Sequence, residues 1–339
     1  MSGIIGHTTY AMLAAKEAQR RELPVAPIIQ RHYASYLAGS YLGSDIQTLP
    51  GFICRDSGQP VGYCGMRLPN SPITGGPLDP WTLKFKGTTY VPVKLGDMFY
   101  GRGHLVFGWR KGEPSYVVSW EEMPQFLADV VCDAVEMFGP GTRPIAYVLG
   151  WMTHIVGDAL IKSVQPGVTL HLLDGKYTPR NRPIQDLVCF HEVGRGELKV
   201  DWPKLLDDLV NTPVEPIQCH FMRVAPARGK LAKDFPDGWT PDRRELLLEV
   251  MAENRRYQRI RNTRLLKQLE LHQASGDWQC DAELSQRTGG LTYREMVDMA
   301  GQANFRHALW QISRGIADLF EQVSQRQPAI EPLRQVSGS

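Results

Sequence analysis

The chain has 339 residues, of which 42% are hydrophobic and 22% are charged, and its formal net charge at pH 7 is +2. This composition is typical of a soluble globular protein with a substantial core, and the balanced charge excludes neither an anionic nor a neutral substrate. We recognise no signal peptide and no apolar run long enough to cross a membrane, and the six cysteines form no CxxC pair. These features predict a cytoplasmic protein with free thiols.

The N-terminal third of the chain predicts two helices followed by an irregular insertion. Apolar spacing favours helices over Gly6–Arg21 and Ile28–Leu42, and the glycine that follows the second helix places Asp45 just beyond its end. From about 50 to 112, prolines, glycines and short alternating segments predict loops with a few strands, which would form a lid or the wall of a cleft. His104 lies beside glycines in this insertion, where a loop histidine can either point inward or face solvent.

The most apolar helix of the chain is predicted over Pro144–Val164. It carries His154 and Asp158 four positions apart, and therefore on one helix face. Such a pair either chelates a cation or forms a hydrogen bond within the core. Gly150 and Gly157 cost helix stability, which indicates that something approaches the helix backbone closely.

The remaining sequence predicts an irregular segment and several further helices. The irregular segment spans Thr169 to Arg195 and contains His171, His191 and Glu192. The further helices are predicted over Glu121–Phe138, Trp202–Val210, Pro213–Val224, 241–274 and 292–323, the last of which opens with a capping box at Thr292 and Glu295.

The helix predicted over 241–274 is rich in arginine, which indicates a solvated helix face. Docking to a membrane or to nucleic acid is the alternative for this face. Together, the predicted elements favour an all-α fold, a single helical domain over 1–330 with the insertion at about 50–112, C-terminal helices at about 240–324 and a flexible tail over 331–339.

Three segments of the chain are similar to one known family. They read GHTTYAMLAAKEA, YLAGSYLGSDI and AYVLGWMTHIVGDAL, and they resemble motifs of the zinc-dependent phospholipase C family, which is related to the zinc-dependent single-strand nucleases. The resemblance covers about the first 160 residues in pieces. It implies a multi-helix phospholipase C-like bundle that holds zinc in a cleft and hydrolyses a phosphodiester.

The resemblance also implies which residues bind zinc. In this sequence they are His7, Asp45, His104, His154 and Asp158, and Asp45 would also act as a base toward the attacking water. Val164 stands where the family has another histidine, and the family's later His and Glu pair is absent. The nearest substitutes are His171, His191 and Glu192, so the resemblance implies between one and three zinc ions.

Three functional hypotheses remain open from the sequence. The first is a metal-dependent phosphoesterase that acts on a lipid or on a small phosphodiester. The second keeps the reaction but makes single-stranded nucleic acid the substrate. The third is a non-catalytic helical protein whose metal site is structural, or whose His154 and Asp158 only form a hydrogen bond in the core.

Overall fold

The structure is a computed structural model that describes residues 3–42, 50–54, 60–61, 83–94, 123–161, 181–212, 241–274 and 276–326. The chain divides into two compact units. One comprises residues 1–41, 120–212 and 260–339, and the other comprises residues 42–119 and 213–259. The expectation of a single domain over residues 1–330 stays a prediction.

The described residues are mostly helical, so the predicted all-α fold with a short-strand insertion is confirmed. In chain order the described helices are α1 (Ile4–Arg20), α2 (Ala26–Arg31), α3 (Tyr33–Leu42), α4 (Met123–Phe138), α5 (Arg143–Ile161), α6 (Asn181–Val188), a π-helix (Cys189–Glu197), α7 (Trp202–Asn211), α8 (Pro241–Leu269), α9 (Ala282–Thr288), α10 (Tyr293–Gln302) and α11 (Phe305–Arg326). None of them is long and apolar enough to cross a membrane.

Strands occur in the predicted insertion and after α8. In the insertion, four antiparallel strands lie in the order β2-β1-β4-β3. Their bounds are β1 (Pro50–Cys54), β2 (Pro60–Val61), β3 (Leu83–Phe85) and β4 (Thr88–Lys94). The second pair, β5 (His272–Ala274) and β6 (Asp277–Gln279), forms a hairpin whose turn contains Gly276 at a φ of 81°.

The core of the first unit surrounds α1 and α5. Helix α1 packs against α5, α11, α2 and the π-helix, and most of its residues are buried. Helix α5 is buried from Ile145 to Val156, and most of these residues are apolar, as is typical of a helix in the interior of a protein. The carboxylate of Glu17, near the end of α1, bonds Arg21, which also bonds Asp318 of α11.

Four predicted elements differ from the structure. The helix predicted over Ile28–Leu42 is interrupted at His32, whose φ of −122° and ψ of 41° lie outside the helical region. The helix predicted over 292–323 is interrupted at Asn304, which has a φ of 53°, a conformation that asparagine tolerates better than most residues. The capping box that opens it at Thr292 is confirmed.

The other two differences concern the segment that precedes α7 and the C-terminal end of α8. The predicted irregular segment is helical from residue 181 onward, as α6 and the π-helix. The helix predicted over 241–274 ends at Leu269, and the hairpin begins three residues later. The helix predicted over Pro213–Val224 and the flexible tail over 331–339 lie outside the described residues.

Candidate functional site

Helix α5 brings His154 into the core. The helix begins after a turn in which Gly139 and Gly141 have positive φ values of 83° and 68°. His154 is 2% exposed, and its Nδ1 lies 2.8 Å from the main-chain carbonyl oxygen of Ser40 on α3. Because a carbonyl only accepts hydrogen bonds, Nδ1 carries a proton, so in the neutral form of the ring the lone pair lies on Nε2.

A close crossing of α3 and α5 makes the bond between Ser40 and His154 possible. A Cβ atom on Gly150 would lie 1.8 Å from the carbonyl oxygen of Tyr36, and one on Gly39 would lie 2.0 Å from that of Tyr147. Each helix therefore presents a glycine to the backbone of the other. Ser40 follows Tyr36 by one helical turn, and His154 follows Gly150 by one turn, so the crossing sets the distance between them.

The ring of His7 stacks on the ring of His154. Their centroids are 3.8 Å apart and their planes differ by 11°, while Tyr10 meets the His7 ring edge-on at 5.8 Å. His7 lies in the second turn of α1 and is 2% exposed. A Cβ atom on Gly157 would lie 2.9 Å from the ring of Tyr10 and 3.8 Å from Nδ1 of His7, so this glycine leaves room for both aromatic rings.

The structure therefore brings together two of the predicted ligands, from α1 and α5. Asp158 lies on α5 one turn beyond His154, but its side chain is outside the described residues. The predicted ligands Asp45 and His104 also lie outside the described residues, as does His171. The roles of these residues in metal binding stay predictions.

The weaker candidates His191 and Glu192 lie on the π-helix and bond to neighbouring elements. Nε2 of His191 is 2.8 Å from the carbonyl oxygen of Leu269, and Oε1 of Glu192 accepts a hydrogen bond of 2.6 Å from the hydroxyl of Tyr293. Burial is the largest cause that lowers the pKa of His191. Burial, followed by the bond to Glu192, raises the pKa of Tyr293. The two hydrogen bonds connect the π-helix to the end of α8 and to the start of α10.

Sequence reasoning did not single out two hydrogen-bond acceptors, one that bonds His154 and one that bonds the start of α1. One is the Ser40 carbonyl, a main-chain atom that every residue possesses and that no motif marks. The other is Asp186 of α6, whose Oδ1 accepts a hydrogen bond of 3.3 Å from the backbone N–H of Gly3 at the start of α1. Asp186 is only 8% exposed, but its burial depends on helix packing that the sequence pattern does not reveal.

The arrangement presents two buried imidazoles with fixed ring planes, and imidazole nitrogen is a common ligand of zinc and other transition metals. Comparison of the chain with protein-family models, with curated proteins and with solved structures finds no match.

Proposed function

We propose that the chain is a metal-dependent phosphoesterase of the zinc-dependent phospholipase C type. In this proposal His7, Asp45, His104, His154 and Asp158 hold zinc, and the substrate is a phosphodiester. The observation that carries the proposal is the buried stack of His7 on His154, together with the hydrogen bond from Nδ1 of His154 to the Ser40 carbonyl.

The bond to Ser40 is the kind of support that a metal-binding histidine needs. Histidines that bind metals almost always donate their second ring N–H to a carbonyl or a carboxylate, which fixes the tautomer and the ring orientation. His154 makes this bond at 2.8 Å within the core. In the neutral ring, Nε2 therefore carries the lone pair that a metal ligand must offer, and the bond to Ser40 orients the ring without a metal.

The same bond bears on the alternative in which His154 only forms a hydrogen bond with Asp158. Since Nδ1 is engaged by Ser40, a bond to Asp158 would involve Nε2, the nitrogen that a metal would use. Removing the Asp158 carboxylate thus gives different results under the two interpretations. A lost core hydrogen bond changes stability, whereas a lost ligand also changes metal content.

Imidazole and carboxylate groups are suitable donors for zinc, so the proposed set of residues fits this ion chemically. When bound, zinc supplies Lewis acidity and a water whose pKa is lowered toward neutrality. The residues of the chain would hold the phosphodiester near this centre, and Asp45 would accept a proton from the attacking water. Burial of the histidines excludes bulk water from their side of the centre.

The proposal is tested by zinc analysis and by activity assays on the purified protein. We expect at least one zinc per chain, and hydrolysis of one of three substrates, phosphatidylcholine, single-stranded DNA or a chromogenic phosphodiester. Asp158→Asn should lose both zinc and turnover because an amide is a poor zinc ligand. The control Asp129→Asn alters a carboxylate on α4 that accepts an exposed hydrogen bond from Gln125, and it should retain both.

Two outcomes would contradict the proposal. One is a wild-type protein without zinc even after incubation with excess zinc. The other is an Asp158→Asn variant with wild-type zinc content. Hydrolysis of single-stranded DNA but not of the lipid would identify the protein as a nuclease, and zinc without any hydrolysis would favour a structural site.

A further inference from the structure

The helix that carries His7 begins without a cap of its own. The N-cap residue of α1 is Gly3, which has no side chain, and the first turn contains no acidic residue. The first N–H groups of a helix have no partner within it, and they lie at the positive end of the helix dipole. A buried helix start therefore needs an acceptor from elsewhere in the protein.

Asp186 supplies this acceptor from α6, 183 positions away in sequence. Its Oδ1 accepts the backbone N–H of Gly3 at 3.3 Å, and its negative charge faces the positive end of α1. Only 8% of Asp186 is exposed. Burying a carboxylate is costly unless it is bonded, so its presence here calls for a specific role.

Gly3 connects Asp186 directly to His7. The backbone N–H of His7 donates to the carbonyl oxygen of Gly3 at 3.1 Å, so the same residue bonds Asp186 through its N–H and His7 through its carbonyl. Displacement of Gly3 would therefore be transmitted to the backbone of His7. The ring of His7 has little freedom to compensate, because it is packed between His154 and Tyr10.

The element that carries Asp186 is itself held firmly. Helix α6 continues into the π-helix, where Trp202 donates from Nε1 to the carbonyl of Phe190 at 3.1 Å. The side chain of Cys189, the first residue of the π-helix, is fully buried. Burial first, and then the charge of Asp186, raise the pKa of the Cys189 thiol.

We propose that Asp186 is a positioning residue for His7. It fixes the first turn of α1 and thereby keeps the His7 ring stacked on His154. Its importance for zinc binding rests on the proposed function, whereas its effect on the stack exists in the metal-free protein. The relevant chemistry is hydrogen-bond acceptance at Gly3, so an asparagine, which also offers an acceptor oxygen, should largely substitute for Asp186.

The test compares Asp186→Ala, Asp186→Asn and the control Asp201→Ala. Asp201 caps α7 by accepting the backbone N–H of Lys204 at 3.1 Å, so the control removes the same kind of bond from a helix without a predicted ligand. Each variant is prepared metal-free with ¹⁵N-labelled histidine, and the ring signals of His7 are assigned by their absence from His7→Gln. Zinc chloride is then titrated into each protein.

We expect Asp186→Ala to shift the His7 ring signals, because the ring moves relative to His154, and to weaken zinc binding by about 10- to 100-fold. Asp186→Asn should restore both properties to near the wild-type values. Asp201→Ala should lower thermal stability but leave the His7 signals and the zinc affinity unchanged. Far-UV circular dichroism verifies that each variant is folded.

The proposal is overturned if the His7 signals of Asp186→Ala coincide with those of the wild type. It is also overturned if Asp201→Ala shifts them equally, or if Asp186→Asn is as damaging as Asp186→Ala. If the wild-type protein does not bind zinc, the proposed function fails, but the His7 signals of the metal-free variants still decide the role of Asp186. The two proposals are therefore judged by different measurements.

Discussion

Substitution of Gly150 by alanine should disrupt the crossing of α3 and α5. The added Cβ would lie 1.8 Å from the carbonyl oxygen of Tyr36, whereas real Cβ contacts essentially never fall below 3.0 Å. The two backbones must therefore separate by about an ångström, because neither the carbonyl nor the Cβ can rotate away. The bond between Ser40 and His154, one turn further along both helices, would stretch from 2.8 Å to beyond hydrogen-bonding distance.

The cost of Gly150→Ala can be assembled from three effects. Forcing a methyl group into a packed core costs about 1–3 kcal/mol, and leaving the buried ring N–H of His154 without its acceptor costs about 1–3 kcal/mol. The higher helix propensity of alanine returns about 1 kcal/mol. We therefore expect the variant to lose about 3 kcal/mol of unfolding free energy, which corresponds to a fall in melting temperature of roughly 6–12 °C.

The assay is urea unfolding followed by circular dichroism, combined with NMR of ¹⁵N-labelled histidine. The matched control is Gly301→Ala in α10, where nothing lies within 4 Å of the new Cβ and alanine should be neutral or slightly stabilising. In Gly150→Ala the Nδ1 signal of His154 should change as its acceptor is withdrawn. Equal stability of the two variants, with an unchanged His154 signal, would refute this account of the crossing.

Two further predictions concern stability. The hydrogen bond from Arg20 is the largest cause that lowers the pKa of Glu17, from 4.5 to about 2. This shift stabilises the folded protein by about 3 kcal/mol above pH 4.5. The stabilisation is lost as the pH falls from 4.5 to 2. Urea unfolding at pH 5 and pH 2 should show a smaller fall in unfolding free energy for Glu17→Gln than for the wild type. The same fall in both proteins would contradict this prediction. Gly194→Ala places a Cβ 2.5 Å from the ring of Trp202, so we expect it to cost about 1–3 kcal/mol in urea unfolding and to alter tryptophan fluorescence. Wild-type stability of this variant would show that the ring can move aside.

The sequence predicted the helices whose apolar spacing is regular and whose ends carry clear signals. Helices α1, α4, α5 and α7 lie within a few residues of their predicted bounds. The capping box at Thr292 is confirmed because both of its hydrogen bonds are local to four consecutive residues. Such features depend on neighbours in sequence, and sequence patterns therefore reveal them.

The errors occur where tertiary contacts or a single backbone angle decide the structure. The continuous apolar spacing over Ile28–Leu42 does not show the one-residue interruption at His32. The π-helix was predicted to be irregular because its conformation depends on distant groups. Trp202 bonds the Phe190 carbonyl, and its ring packs on Gly194, which has no Cβ to obstruct it. The spacing of residues 189–197 alone contains no sign of these contacts.

For the candidate site, the glycines of α5 were the most informative sequence feature. Gly150 and Gly157 were predicted to admit a close approach, and the structure shows what approaches, namely the Tyr36 carbonyl of α3 and the Tyr10 ring of α1. The approaching groups are protein atoms, and sequence reasoning did not identify them. The two glycines allow the Ser40 carbonyl to lie beside His154 and the Tyr10 ring to lie beside His7.

This arrangement determines which substitutions can reveal the support of His154. The acceptor for its Nδ1 is the main-chain oxygen of Ser40, whose own hydroxyl donates to Leu37 instead. Ser40→Ala therefore removes the hydroxyl but retains the acceptor, so we expect it to leave the orientation of His154 intact. Gly150→Ala retains every polar group but moves the acceptor away. Substitution of these glycines should therefore disturb the orientation of His154 more than substitution of Ser40, because the missing glycine side chains set the distance between the two backbones.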